Sequence, residues 1–163
     1  MGKAKLEQNQ HAKPMSLATT SAITGFIGGV FWGAISYIAY YFNFTEIRPS
    51  TVLEPWAVGE WKTGWIGVII SLIVLGVLGV VAAFLYYFTL KKFSKMWVSL
   101  AYGTVLFLVV FIILNPLFPG FNPITKLDRN TILTTFCLYL LFGMFVGYSI
   151  SYEYQEKKEQ NEL

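Results

Sequence analysis

The sequence predicts an all-α, polytopic membrane protein with four transmembrane helices and both chain ends in the cytoplasm. Three observations carry that expectation. Four apolar runs, Ala22 to Phe42, Gly64 to Leu90, Trp97 to Leu114 and Thr131 to Tyr152, contain no Asp, Glu, Lys, Arg or His. The composition is 55% hydrophobic and only 13% charged, whereas soluble domains are roughly 45 to 50% apolar and about 25% charged. The basic residues are unevenly shared among the segments between the runs, which is what sets orientation in a bilayer.

A spanning helix needs about 20 mostly apolar residues at about 1.5 Å rise each, and the helices are expected near 16–43, 64–91, 95–115 and 130–152. They form one transmembrane domain over 16–152, between tails at 1–15 and 153–163. The first run is longer than the 7 to 15 residue core of a signal peptide and lacks a small-residue cleavage site after it, so it reads as an uncleaved span. Trp32 falls in its middle, where the indole N–H needs a partner. The second run exceeds the required length and should tilt, or extend past the headgroups. The third is the shortest, yet Val98, Leu100 and the run from Val105 to Leu114 supply twelve Leu, Ile, Phe or Val residues. At about 0.3 to 0.6 kcal/mol each they favour insertion by roughly 4 to 7 kcal/mol. After the fourth run the Gln/Glu/Lys-rich stretch from Glu153 to Leu163 is expected to continue the helix briefly and then fray. Reading the four runs instead as buried helices of a soluble core would leave no polar face to cover so short a chain.

The tails and the tight second connection hold Lys3, Lys5, Lys13, Lys91, Lys92, Lys95, Lys157 and Lys158, against Arg48, Lys62, Lys126 and Arg129 in the other two connections. The positive-inside rule therefore places the tails and the second connection in the cytoplasm. Aromatic residues fall where interfaces are expected: Tyr40, Tyr41, Trp61 and Trp65 outside, Tyr86, Tyr87, Trp97 and Tyr154 inside. The net charge of +3 is too small and scattered for a nucleic-acid footprint. One cysteine, Cys137, excludes an internal disulfide and leaves no cluster for a metal; in a span it reads as a small packing residue.

Rows of small residues at four-residue spacing mark the first helix (Ser21, Gly25, Gly29, Gly33) and the fourth (Gly143, Gly147, Ser151). Such rows let backbones approach closely, a main source of helix association in lipid. They are expected to mediate packing within the chain, with homodimerisation as the alternative. Gly79 and Ala83 on the second helix and Ser99 and Gly103 on the third extend the pattern. Toward the outer half the rows turn bulkier and more polar, with Tyr37, Tyr41, Thr131, Thr135 and Tyr139.

The spans hold no charge, which argues against the ion pathways and proton relays that intramembrane ionisable groups usually mark. Charged and aromatic residues gather instead in the two outer connections, which are too long to be simple turns and are rich in proline. Arg48, Glu54, Trp56 and Glu60 lie in one, Asp128 and Arg129 in the other. The plain reading is snorkelling ion pairs and an aromatic anchor at the membrane surface; the sharper one is that both loops fold over the bundle and face a partner or anionic ligand. Glu54 and Glu60 lack the nucleophile and base that acid/base chemistry would need beside them, so no catalytic, cofactor or metal site is expected. Asn43, Phe44 and Thr45 form a glycosylation sequon too near the membrane to be a good acceptor, and His11 lies alone in a tail.

The stretches YFNFTEIRPSTVLEPWAVGEWKTGW from Tyr41, KKFSKMW from Lys91 and NPLFPGFNPITKLDRNT from Asn115 resemble the YqhR family, conserved membrane proteins of Bacillus-type bacteria. The resemblance runs from the first helix to Tyr154. It implies a bacterial plasma-membrane setting and assigns no activity, so no residue role is carried over. The expected function is that of a non-enzymatic interaction or assembly protein docking a larger membrane partner. The alternative is a small permease or channel-like subunit for an uncharged solute or lipid, which requires a polar cavity opening outward between the first and fourth helices.

Overall fold

The computed structural model describes residues 15–55, 59, 61, 64–93, 95–114 and 122–162. Its elements are α1 (Leu17–Tyr41), a 3-10 helix (Pro49–Leu53), α2 (Trp65–Thr89), α3 (Met96–Leu108) continued by a π-helical segment (Val109–Leu114), a 3-10 turn (Ile124–Lys126) and α4 (Arg129–Glu162). Among the described residues there is no strand, and four helices are long and apolar enough to cross a membrane. They run alternately up and down. One end of the bundle holds the start of α1, the α2–α3 turn and the last turns of α4 (the turn end); the other holds the segments after α1 and before α4 (the loop end).

Local chemistry sets the helix limits. Ser16 caps α1, its Oγ accepting from the Thr19 N–H at 3.2 Å, which satisfies one of the orphan donors of the first turn. At the far end Asn43 takes a left-handed φ of 59°. Its N–H reaches the Tyr40 carbonyl, and the Phe44 N–H reaches the Ala39 carbonyl at 2.9 Å. This paired closure of a helix end needs a residue that tolerates the left-handed region, and after Gly, Asn does so best. The 25 residues of α2 span about 37 Å, more than the roughly 30 Å hydrocarbon core, enough to cross it with tilt or with its ends among the headgroups. Past Tyr152 the apolar run stops but α4 continues to Glu162. An ion pair one turn apart, Glu153 to Lys157 at 3.0 Å, supports the extension, and the Lys157 ammonium also donates to the Met15 carbonyl beside the start of α1.

Glycine contacts organise the bundle into two pairs. A Cβ added to Gly25 would lie 2.5 Å from the Gly79 carbonyl oxygen and 2.6 Å from the Ala83 Cβ, and one added to Gly29 would lie 2.9 Å from the Gly76 Cα. Hence α1 and α2 touch backbone to backbone. A Cβ on Gly143 would lie 2.5 Å from the Gly103 Cα, and one on Gly147 2.6 Å from the Ser99 Cβ, so α3 and α4 do the same. The rows of α1 and α4 therefore face different neighbours, and α1 meets α4 beside them, where Gly28 lies against the rings of Phe142 and Phe145. Ser21 and Ser151 are buried at the turn end. Two apolar clusters fill the interior. Ala83, Tyr86, Tyr102, Phe142, Val146 and Ile150 pack at the turn end; Phe107, Phe111 and Leu127, joined by Ile47, Phe136 and Tyr139, pack at the loop end.

Substituting Gly143 by Val drives a side chain into the α3 backbone and should cost about 1 to 3 kcal/mol, the usual range for overpacking. Gly64→Ala, whose added Cβ would meet nothing nearer than the Trp61 carbonyl at 3.6 Å, should cost only the lesser N-cap preference of Ala, less than about 1 kcal/mol. Thermal unfolding in detergent, followed by circular dichroism, measures both; equal melting temperatures for the two variants would contradict the packing described.

Candidate functional site

At the loop end the chain after α1 is pinned onto the rest of the bundle by neutral groups. Thr45, 3% exposed, turns its hydroxyl to accept from the Ile47 N–H at 3.1 Å. The Glu46 N–H donates to the Thr131 hydroxyl of α4 at 3.0 Å, and Thr131 is 1% exposed. The Ile47 side chain then packs with Phe107, Phe111 and Leu127. From this anchor the 3-10 helix returns to α2, burying Pro49, Ser50 and Leu53. Pro49 suits its first position, where an N–H would have no partner.

The charged residues singled out by the sequence sit around this anchor without forming one constellation. The Arg48 guanidinium lies over the Tyr40 ring, 5.2 Å from its centroid, an attraction to the ring's negative face. Glu54 follows the 3-10 helix, and its Oε2 is buried with no hydrogen-bond partner among the described residues. Asp128 serves the start of α4: its carboxylate accepts from the Asn130 N–H at 3.4 Å and its carbonyl from the Ile132 N–H at 3.1 Å. Arg129 is exposed on the first turn of α4. No ion pair links Arg48, Glu54, Asp128 and Arg129 among the described residues, and Trp56 and Glu60 lie outside them. No group of three or more His, Cys, Asp or Glu gathers among the described residues, and Cys137 is exposed on the bundle's flank.

At the turn end a second polar site lies inside the bundle. The Tyr86 hydroxyl, on a side chain with no exposure at all, is 2.9 Å from the Ser151 Oγ and 3.4 Å from the Ser99 Oγ. Ser151 donates to the Phe93 carbonyl at 3.0 Å, which uses its one proton and leaves Tyr86 the donor between them. Tyr102 stands edge-on to Tyr86, with centroids 5.1 Å apart, and donates to the Ala82 carbonyl. Three helices and the α2–α3 turn are thereby tied at one point. Sequence reasoning did not assemble this cluster. Its signal was available, because a hydroxyl placed in lipid must find an internal acceptor. The exception is Trp32, whose Nε1 is buried with no partner among the described residues.

Over residues 1–163 the chain matches the family model described as "Conserved membrane protein YqhR". It is similar to the "Uncharacterized protein YqhR" of Bacillus subtilis (strain 168), with 50% identity over 151 residues, which cover 92% of this chain and 85% of that protein. No solved structure matches the chain.

Thr131→Val keeps the side-chain shape but removes the acceptor of the Glu46 N–H, leaving a partly buried donor unmatched at a cost of about 1 to 3 kcal/mol. Thr131→Ser, which retains the hydroxyl, should recover most of that loss. Unfolding midpoints of the two variants in the same detergent test this, and a Val variant as stable as the Ser variant would show that the tether contributes nothing.

Proposed function

The chain belongs to the YqhR family of conserved membrane proteins, and from that premise we propose that it is a non-catalytic interaction or assembly subunit whose loop end docks a larger membrane protein. The observation that carries this reading is the use made of the internal hydroxyls. Thr45 and Thr131 hold loop N–H groups, Tyr102 holds the Ala82 carbonyl, and Tyr86 and Ser151 hold one another and the α2–α3 turn. A permease or channel-like subunit for an uncharged solute or lipid would need such groups to line a lumen. Here they are taken up by the chain itself, while the spans between them carry no charge.

What remains for recognition is the loop end. Arg48, Glu54, Asp128 and Arg129 lie around the Thr45–Thr131 anchor and are not paired with one another among the described residues. A folded platform presenting arginine, with Tyr40 against Arg48, has the residue types that protein interfaces favour. The reading extends to topology: the loop end faces outward and the Lys91–Lys95 turn faces the cytoplasm of a bacterial plasma membrane, supported by the surplus of lysine at the turn end.

A photo-crosslinking amino acid in place of Arg129 or Glu54 should capture one defined protein in cells; recovery of only lipid adducts and uncrosslinked chain counts against the reading. For topology, single cysteines replacing Lys126 and Lys92 in a Cys137→Ser background should differ. An impermeant maleimide added to intact cells should label the first and spare the second. Labelling of the Lys92 position alone would reverse the orientation.

A further inference from the structure

We propose that the turn between α2 and α3 is a binding site for the phosphate headgroup of an anionic phospholipid. Lys91, Lys92 and Lys95 stand within five residues of one another, and no ion pair joins any of them to a carboxylate among the described residues. Three lysines in one short turn, none paired with a carboxylate among the described residues, form a site that lacks its counter-charge.

The turn is also built to hold these cations in place. The Phe93 N–H donates to the Leu90 carbonyl at 2.9 Å. The Phe93 carbonyl accepts from the Ser151 hydroxyl at 3.0 Å, and that hydroxyl accepts in turn from the buried Tyr86 hydroxyl at 2.9 Å. The turn that carries the lysines is therefore tied to the bundle at Phe93, which lowers the ordering cost of binding. The Lys91 ammonium lies over the Tyr87 ring at 4.1 Å and 5.8 Å from that of Tyr154 on α4. Ring contact orients the cation without neutralising it.

The surroundings select a lipid over a free anion. Phe88 is 74% exposed, Trp97 81% and Phe93 54%, and they flank the lysines at the ends of two membrane-spanning helices, the level at which headgroups and aromatic belts lie. A ligand that fills this site carries a negative phosphate for the turn and acyl chains for the exposed rings. The inference needs only that the helices lie in lipid, and it is independent of the role proposed for the loop end.

Native mass spectrometry of the full chain, delipidated in detergent and offered equal amounts of phosphatidylglycerol and phosphatidylcholine, tests the site. The wild-type chain should retain one phosphatidylglycerol preferentially, and the preference should fall about fivefold for each of Lys91, Lys92 and Lys95 changed to Gln. The Lys126→Gln, Arg129→Gln double variant, which loses charge at the opposite end, should keep it, as should wild-type chain in millimolar inorganic phosphate. Equal retention of the two lipids by the wild type would overturn the proposal. So would an undiminished preference in the triple lysine variant at unchanged helicity, an equal loss in the loop-end variant, or full displacement of the lipid by inorganic phosphate.

Discussion

Backbone contact through glycine is the interaction on which the rest of this structure depends. Lipid tails are as apolar as the helix faces they would replace, so association gains little from burying Leu or Ile and must come from close packing and internal hydrogen bonds. Gly25 and Gly29 against Gly76 and Gly79, and Gly103 against Gly143, bring the helices of each pair together until no Cβ fits between them. Everything larger is accommodated around those two contacts. The rings of Phe142 and Phe145 occupy the space where α1 meets α4 beside Gly28, and the aromatic cluster of Phe107, Phe111, Phe136 and Tyr139 fills the loop end.

The polar groups obey the same solvent. An unsatisfied hydroxyl or amide is costly in hydrocarbon; some buried hydroxyls turn back to their own helix, as Ser21 does to the Leu17 carbonyl and Ser71 to the Val68 carbonyl, and others close tertiary contacts. Thr131 fastens the segment after α1 to the start of α4, and Tyr86 with Ser151 fastens the α2–α3 turn to the end of α4. Polar atoms in this interior thus act as fasteners between elements. Both ends of α4 take part, which makes that helix the common support of the loop end and the turn end.

The fold class was legible because its signals are one-dimensional. Four charge-free runs of sufficient length specify four spans, and α1 is capped at Phe42, the last residue of the first run. A row of small residues is equally visible, but its partner is not. Periodicity puts Gly25 and Gly29 on one face of a helix without saying which neighbour that face meets. Gly28, outside any four-residue row, gave no signal until Phe142 and Phe145 were found against it. The loops were read from their charges, Arg48, Glu54, Asp128 and Arg129, whereas their anchoring runs through Thr45, Glu46 N–H, Ile47, Leu127 and Thr131. These are unremarkable in sequence because each acts through a contact with a residue far away in the chain.

The pairing of α1 with α2 and of α3 with α4 also bears on how the protein is made. Each backbone-to-backbone glycine contact joins helices that are neighbours in the order of synthesis, so the first half can close its tightest interface before the second half leaves the ribosome. The contacts that α4 makes with the first half, among them the α1–α4 seam, the Glu46–Thr131 bond and the Tyr86–Ser151 bond, must wait for the last helix. Assembly in the bilayer then reduces to the meeting of two finished hairpins, a route with little opportunity for a helix to choose the wrong mate.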